Sequence, residues 1–279
     1  MESRMIRTAA GLTLAVDMDG PAGAPTVVLL HGGGQTRHSW HGAMRALAAR
    51  GYRVVAYDAR GHGDSDWSPR GDYGVQALAA DLLPLTASRP VALVGASMGG
   101  MTAFYAIGSS AEPVADALVL VDITLRTAPE GTHKIMAFMR AHPDGFATLE
   151  EAADAVAAYN PDRPRPSDPS GLRKNLRERD GRLFWHWDPR LIAVTPSAEP
   201  PAFADALIAV SDGVSVPTLL VRGGRSDIVD DAGVAELLRH VPQTQVANVA
   251  GAGHMVAGDR NDAFNQSILT FLAAHMPPR

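Results

Sequence analysis

One stretch of the chain, V-A-L-V-G-A-S-M-G-G at 91–100, restricts the fold more than any other. Its four β-favouring apolar residues end at Gly95, and a run of small, helix-compatible residues begins just after Ser97. This pattern predicts a strand, a sharp turn and a helix, with the serine at the apex. Glycines on both sides of the turn allow the strand and helix backbones to come very close, which pushes the Ser97 hydroxyl out above the end of a sheet.

Similar apolar runs recur along the rest of the chain, at 26–30, 53–57, 117–121, 217–221 and 245–249. The run at 26–30 is continuous rather than alternating, which is typical of a strand that is covered on both faces. Helix-like spacing separates most of these runs, and residues 4–18 have the pattern of an edge hairpin. We therefore predict an α/β fold in which helices cover both faces of a mostly parallel sheet.

The alternation of strands and helices lapses between residues 124 and 213. Helical spacing is present at 131–142 and 149–159, prolines interrupt the middle of the segment, and an F-W-H-W cluster follows at 184–187. We predict a mainly helical lid above the C-terminal ends of the strands, where open parallel sheets bind ligands. The predicted domains are a core of residues 1–123 and 214–279 and a lid of residues 124–213.

Ser97 needs a base and an acid if it is to act as a nucleophile, because a serine hydroxyl is weakly reactive at neutral pH. His254 follows the last apolar run in G-A-G-H, and Asp227 follows the run before it in R-G-G-R-S-D. The order Ser97, Asp227, His254 is the order expected for this architecture. Asp122 also ends a strand and is the rival for the acid, whereas the alternative for Ser97 is a simple helix N-cap.

Two further motifs, H-G-G-G-Q-T-R-H-S-W at 31–40 and D-A-R-G-H-G-D-S-D at 58–66, complete a recognisable set. Together the motifs resemble those of α/β-hydrolase-fold serine hydrolases, in particular bacterial esterases, cofactor-free haloperoxidases, and C–C bond and enol-lactone hydrolases. The likeness covers nearly the whole chain apart from the lid. It implies an eight-stranded sheet with the lid after strand 6, and an oxyanion hole formed by the backbone N–H groups of Gly33 and Met98.

The resemblance implies a serine hydrolase that cleaves an ester or a lactone of a small organic substrate through an acyl-enzyme. C–C bond hydrolysis and perhydrolase (haloperoxidase) chemistry would use the same triad, and a ligand-binding receptor on a hydrolase scaffold is the alternative from another class. Met255 stands where C–C bond hydrolases of this fold usually carry an aromatic residue, which disfavours that activity. The candidates for the substrate pocket are Gly32, Gly34, Trp185, Trp187 and Met255.

Several other ligands and locations are not expected. His38 and His41 have the spacing of helical metal ligands, but no third ligand is near them in the sequence, so we predict no metal site. H-G-G-G is not a dinucleotide fingerprint, so we predict no cofactor.

The formal net charge is −5 without a basic stripe, which disfavours nucleic acid. Without a signal peptide or a membrane-spanning run, we expect a cytoplasmic protein, and a homo-oligomer is compatible with the sequence.

Overall fold

A computed structural model describes residues 1–161, 164–193, 200–254 and 261–278. Its strands are β1 (Glu2–Arg7), β2 (Thr13–Asp19), β3 (Thr26–Leu30), β4 (Arg53–Tyr57), β5 (Val91–Ala96), β6 (Ala117–Val121), β7 (Leu176–Arg179), β8 (Arg182–Trp185), β9 (Thr218–Gly223) and β10 (Thr244–Val249). Its helices are α1 (His41–Ala48), α2 (Val75–Ala80), α3 (Met98–Ser109), α4 (Pro129–Arg140), α5 (Leu149–Tyr159), α6 (Arg190–Ala193), α7 (Pro200–Ala209), α8 (Asp231–His240) and α9 (Asn261–His275). Within these ranges, no helix is both long enough and apolar enough to cross a membrane.

Eight of the strands form one sheet in the order β1-β2-β4-β3-β5-β6-β9-β10. The pairs β1–β2 and β2–β4 are antiparallel, and the other pairs are parallel. The predicted fold class is confirmed. Because β3, β5, β6 and β9 run in the same direction, the loops that follow them lie along one edge of the sheet.

The continuous apolar runs supply two separate cores, one on each face of the sheet. Neighbouring residues of β3 show this, because Val28 and Leu30 belong to one buried cluster while Val27 and Leu29 belong to the other. Side chains alternate between the faces of a strand, so a strand that is covered on both sides must be apolar at every position. Helices α1 and α9 pack on one face, and α2, α3, α7 and α8 pack on the other.

The lid contains α4, α5 and a hairpin of β7 and β8, with an apolar cluster of its own. The sequence pattern predicted a mainly helical lid, and the hairpin is an element that it did not indicate. Its turn is Asp180-Gly181, where both residues have positive φ (51° and 72°), as a two-residue hairpin turn requires. Farther along the chain, α7 packs through Leu207 against the core on the α3 face of the sheet. The boundaries of the lid at 124 and 213 stay a prediction.

Candidate active site

Ser97 lies at a strained turn between β5 and α3, with φ 48° and ψ −118°. A Cβ at Gly95 would lie 2.4 Å from the carbonyl carbon of Gly99, and a Cβ at Gly99 would lie 2.4 Å from the Leu30 carbonyl oxygen. Only glycine fits at either position, because backbone atoms occupy the space of a side chain. The strand, the turn and the helix thus have the geometry that the G-x-S-x-G pattern predicts.

The Ser97 side chain makes no capping hydrogen bond to α3, although the residue occupies the N-cap position. This observation disfavours the alternative of a plain helix cap. The backbone N–H of Ser97 donates to the Val121 carbonyl at 3.3 Å, which joins the turn to the end of the neighbouring strand β6. Ser97 and the residue that follows Val121 therefore lie at the same edge of the sheet.

That following residue, Asp122, is the hydrogen-bond partner of His254. The distance from Asp122 Oδ2 to His254 Nδ1 is 2.8 Å. Asp122 Oδ1 also accepts a hydrogen bond from the Gly223 N–H at 2.9 Å, and the Asp122 side chain is fully buried. A buried carboxylate is stable only when its oxygens are hydrogen-bonded, as they are here. The pair fixes the ring of His254 and leaves Nε2 as the atom available to a further partner.

Asp227, the predicted acid, lies elsewhere. Its side chain is 46% exposed, and Oδ2 is 3.6 Å from Lys134 Nζ on α4. No hydrogen bond or ion pair between described residues joins Asp227 to His254. The backbone at Asp227 packs against α4 instead, where a Cβ on Gly131 would lie 2.3 Å from the Asp227 carbonyl oxygen. The carboxylate next to His254 in the structure is thus that of Asp122, the rival in the sequence, and the predicted Asp227 is not brought to the histidine.

Ser226 is a residue of this site that the sequence pattern did not indicate. Its hydroxyl accepts hydrogen bonds from the N–H groups of Ile228 and Val229 at 3.1 and 3.0 Å. The hydroxyl proton is therefore donated to Asp122 Oδ2, at 2.5 Å. Its position directly before the expected acid, in the loop after a strand, was the signal that could have found it.

The three glycines after His31 form a tight loop beside Ser97. A Cβ on Gly32 would lie 3.4 Å from Ser97 Cβ. The Gly32 N–H donates to Gln35 Oε1 at 3.1 Å, and the Gly34 N–H donates to His62 Nε2 at 3.2 Å. In the part of the chain that is described, neither the Gly33 N–H nor the Met98 N–H donates to another group. These two donors were predicted for the oxyanion hole.

His31 and His62 each make a hydrogen bond to the backbone of this loop. His31 Nε2 accepts from the Ala59 N–H at 3.0 Å, so Nδ1 carries the proton and donates to the Gly32 carbonyl at 2.8 Å. Burial lowers the pKa of His31 and lowers the pKa of His62 further. Both rings are neutral, and each uses one nitrogen as donor and the other as acceptor.

His186 joins the lid to the same loop, a role that the sequence pattern did not indicate. His186 Nδ1 accepts from the Gly63 N–H at 2.8 Å, so Nε2–H donates to the Gly34 carbonyl at 3.2 Å. Burial lowers the pKa of His186 to about 4. The imidazole is therefore neutral near pH 7. The histidine that fixes the lid to the glycine loop resists protonation, because burial disfavours its charged form.

An apolar wall of the lid lies next to the glycine loop. A Cβ on Gly34 would lie 3.4 Å from Trp187 Cζ3, and a Cβ on Gly33 would lie 3.7 Å from Met139 Sδ. Trp187 stacks on Trp185, with ring centroids 5.1 Å apart, and both rings are buried within the lid cluster. Trp187 thus borders the loop beside Ser97, whereas Trp185 lies behind it. Met255 lies outside the described residues.

The glycine-flanked serine and the histidine–carboxylate pair lie at the C-terminal edge of the sheet, and comparisons with known proteins identify the family of the fold that carries them. The family model described as "alpha/beta hydrolase fold" matches residues 25–260. The chain belongs to the α/β-hydrolase-fold family. Within this family it is 32% identical over 275 residues to the sn-1-specific diacylglycerol lipase ABHD11 of Mus musculus, covering 92% of this chain and 83% of the lipase. It is 34% identical over 268 residues to the esterase Rv0045c of Mycobacterium tuberculosis, covering 91% and 84%.

Solved structures of α/β hydrolases superimpose on nearly the whole chain. E-2-(acetamidomethylene)succinate hydrolase has a TM-score of 0.83 at 25% identity, and the match covers 97% of this chain and 99% of that one. The enol-lactonase of Burkholderia xenovorans LB400 has a TM-score of 0.73 at 25% identity, and the match covers 97% and 100%. In both cases the match covers 97% of this chain, so it includes most of the predicted lid.

Proposed function

We propose that this α/β hydrolase is a serine hydrolase that cleaves carboxylic esters, including lactones, through an acyl-enzyme. The observation that carries the proposal is the hydrogen-bonded pair of His254 and Asp122 at the same edge of the sheet as a strained, uncapped Ser97. The names of the lipase, the esterase and the enol-lactonase, each of which cleaves or handles an ester bond, support the same reaction class.

In the proposed first half-reaction, Ser97 Oγ attacks the ester carbonyl carbon while His254 Nε2 takes the hydroxyl proton. The C–O bond to the alcohol then breaks, and His254 returns the proton to the leaving alkoxide. Asp122 accepts from His254 Nδ1–H, which keeps the ring in the tautomer whose Nε2 lone pair is available. In the second half-reaction His254 takes a proton from a water, which attacks the acyl carbon. The bond from that carbon to Ser97 Oγ then breaks, and His254 returns the proton to Ser97 Oγ.

The N–H groups of Gly33 and Met98 are proposed to bind the oxyanion of each tetrahedral intermediate. Both donors belong to rigid backbone and lack a partner among the residues described, so no hydrogen bond must break before they act. A preorganised donor of this kind contributes about 3–4 kcal/mol to transition-state stabilisation. Met98 is also the first residue of α3, where the helix dipole favours negative charge.

We expect the reactive end of the substrate to carry an apolar group. Met139 and Trp187 border the glycine loop next to the proposed oxyanion donors, and both belong to the buried apolar cluster of the lid. An apolar substrate group that packs against this wall gains about 25 cal/mol of binding free energy for each Å² of apolar surface that it buries. A charged group would lose its hydration there without a described cation to replace it.

The direct test is a screen of p-nitrophenyl esters of graded chain length and of several lactones, combined with a fluorophosphonate probe. Wild type should hydrolyse at least one class and gain one covalent adduct, with Ser97→Ala losing both. Ser109→Ala is the matched control, because Ser109 is an exposed serine on α3 whose hydroxyl donates to the Tyr105 carbonyl. Absence of an adduct on wild type would instead favour a ligand-binding receptor on the same scaffold.

A further inference from the structure

A second cluster of reactive side chains lies outside the proposed active site, at the first residues of α1. His38 lies in a short 3-10 helix (Arg37–Trp40), His41 begins α1, and Asp17 lies on β2. Among the described residues, these three form the one group whose ligand atoms all lie within 4.8 Å of one another. The sequence offered only the two histidines, because the third residue is 24 positions away and reaches them through the fold.

The distances within this cluster match those between the ligands of a bound ion. His41 Nε2 is 3.0 Å from Asp17 Oδ2 and 3.3 Å from His38 Nδ1, and the remaining side of the triangle measures 3.8 Å. A tetrahedral zinc ion with bonds of about 2.0–2.1 Å separates its ligand atoms by about 3.3–3.4 Å. The three atoms therefore occupy three corners of such a tetrahedron with only small adjustments.

The groups around the cluster hold it in this arrangement. Asp17 Oδ1 accepts from the Ser3 hydroxyl at 2.7 Å and lies 3.2 Å from Arg37 Nε, so Oδ2 is the oxygen directed at the histidines. Trp40, between the two histidines in sequence, is buried against Phe264. Outer partners of this kind orient the ligands of metal sites in proteins.

The local charge also favours a cation. Arg37 contacts three carboxylates, those of Asp17, Asp58 and Asp64. One guanidinium cannot neutralise three carboxylates, so the network keeps two formal negative charges. A dication at the cluster would balance them. The His38 and His41 side chains are 19% and 27% exposed, which gives an ion a path from solvent and leaves a fourth position for water.

We propose that Asp17, His38 and His41 bind one transition-metal ion of the zinc class. Two imidazoles and one carboxylate suit Zn²⁺ and its neighbours, whereas Mg²⁺ and Ca²⁺ prefer sites made of oxygen atoms. The bound ion would join β2, which lies between β1 and β4 in the sheet, to the start of α1. The site is separate from the serine hydrolase proposal and does not depend on it.

The test uses full-length protein without a histidine tag, treated with a chelator and then titrated with ZnCl₂ in a calorimeter. We expect one saturable site per chain, no comparable binding of MgCl₂, and a rise in unfolding temperature with ZnCl₂. His38→Ala and His41→Ala should each weaken Zn²⁺ binding by at least about 10-fold. His133→Ala, which removes an exposed histidine of α4, should bind as wild type does.

A second readout needs no variant. Co²⁺ bound to wild type should give the intense visible absorption of a tetrahedral site, and ZnCl₂ should abolish it by displacement. In chelator, His38→Ala should unfold close to the wild-type temperature because its side chain is partly exposed, whereas His41→Ala should unfold at a lower temperature because it removes a hydrogen bond to the buried Asp17. Absence of saturable Zn²⁺ binding to wild type, or unchanged affinity in the His38→Ala/His41→Ala double variant, would overturn the proposal.

Discussion

Asp122 Oδ2 lies 2.8 Å from His254 Nδ1, so the carboxylate beside the histidine comes from the end of β6. Strands β6 and β9 are neighbours in the sheet, with Val121 paired to Val221, and a carboxylate could reach His254 from either strand end. Asp122 has a φ of 49°, which turns its side chain into the site, whereas Asp227 is half-exposed on the far side of the loop. The end of β9 and the loop after it thus supply Gly223 and Ser226, two hydrogen-bond donors to that carboxylate.

Replacing Ser226 tests whether this support matters for turnover. Ser226→Ala removes one donor from Asp122 and leaves the N–H groups of Ile228 and Val229 without their acceptor. A hydrogen bond to a charged group contributes about 1.5–3 kcal/mol, so we expect kcat to fall about 10-fold or more. The substrate does not contact Ser226 in this account, and KM should change little.

Ser226→Thr is the matched variant, because it keeps the hydroxyl. It should recover most of kcat. Any shift that Ser226→Ala causes in the pH profile of kcat should be smaller in Ser226→Thr. If Ser226→Ala changed only the unfolding temperature and left kcat and its pH profile as they are in wild type, Ser226 would have a purely structural role.

Alanine should lower the free energy of unfolding at Gly99, in the serine turn, much more than at Gly171, in the lid. A Cβ on Gly99 would lie 2.4 Å from the Leu30 carbonyl oxygen, so Gly99→Ala must move α3 away from β3. We expect a loss of about 3 kcal/mol in the free energy of unfolding, measured by urea denaturation. Gly171→Ala is the control, because a Cβ there meets no atom within 4 Å. That variant should be neutral or more stable by up to about 1 kcal/mol, and equal losses in the two variants would refute the close-packed turn.

The buried histidines predict a stability loss in acid. The pKa of His186 is about 4 in the folded protein and about 6.5 in the unfolded chain, so the unfolded state binds more protons between these values. The stabilisation is complete above about pH 6.5 and falls by about 1.4 kcal/mol per pH unit down to about pH 4. His186→Asn keeps an acceptor for the Gly63 N–H but cannot titrate.

Urea unfolding at about pH 7.5, 6 and 4.5 should therefore show a shallower loss of stability for His186→Asn than for wild type. The variant keeps part of the acid sensitivity, because burial also lowers the pKa of His31 and His62. His133→Asn, at an exposed position of α4, should follow the wild-type curve. Identical slopes for wild type and His186→Asn would show that His186 is not buried as a neutral ring.

The sheet and the serine turn were predictable from the sequence because they depend on local patterns. Continuous apolar runs occur only where both faces of a strand are covered, and the two glycines around Ser97 are required by atoms within a few residues or in the adjacent strand. The D-G pair at 180–181 was an equally local hairpin signal, which the prediction of a mainly helical lid did not use.

The residues that were missed are those whose roles depend on distant neighbours. Asp122 and Asp227 follow strands of the same kind, and only the path of the loop after β9 decides between them. His186 gains its role from Gly63, which is 123 residues away, and His41 meets Asp17 across the fold. A pattern along the chain cannot rank such contacts, because it holds no information on which loops approach each other.

The account is tested most directly by kcat/KM for Asp122→Asn and Asp227→Asn, measured side by side on the ester that wild type hydrolyses best. An amide at 122 can no longer hold His254 in the required tautomer, so we expect a loss of about 10⁴-fold with the fold intact by circular dichroism. Asp227→Asn removes only a half-exposed contact with Lys134 and should stay within about 3-fold of wild type. The reverse order, a large loss at 227 and a small one at 122, would contradict the pairing of Asp122 with His254 as the catalytic arrangement.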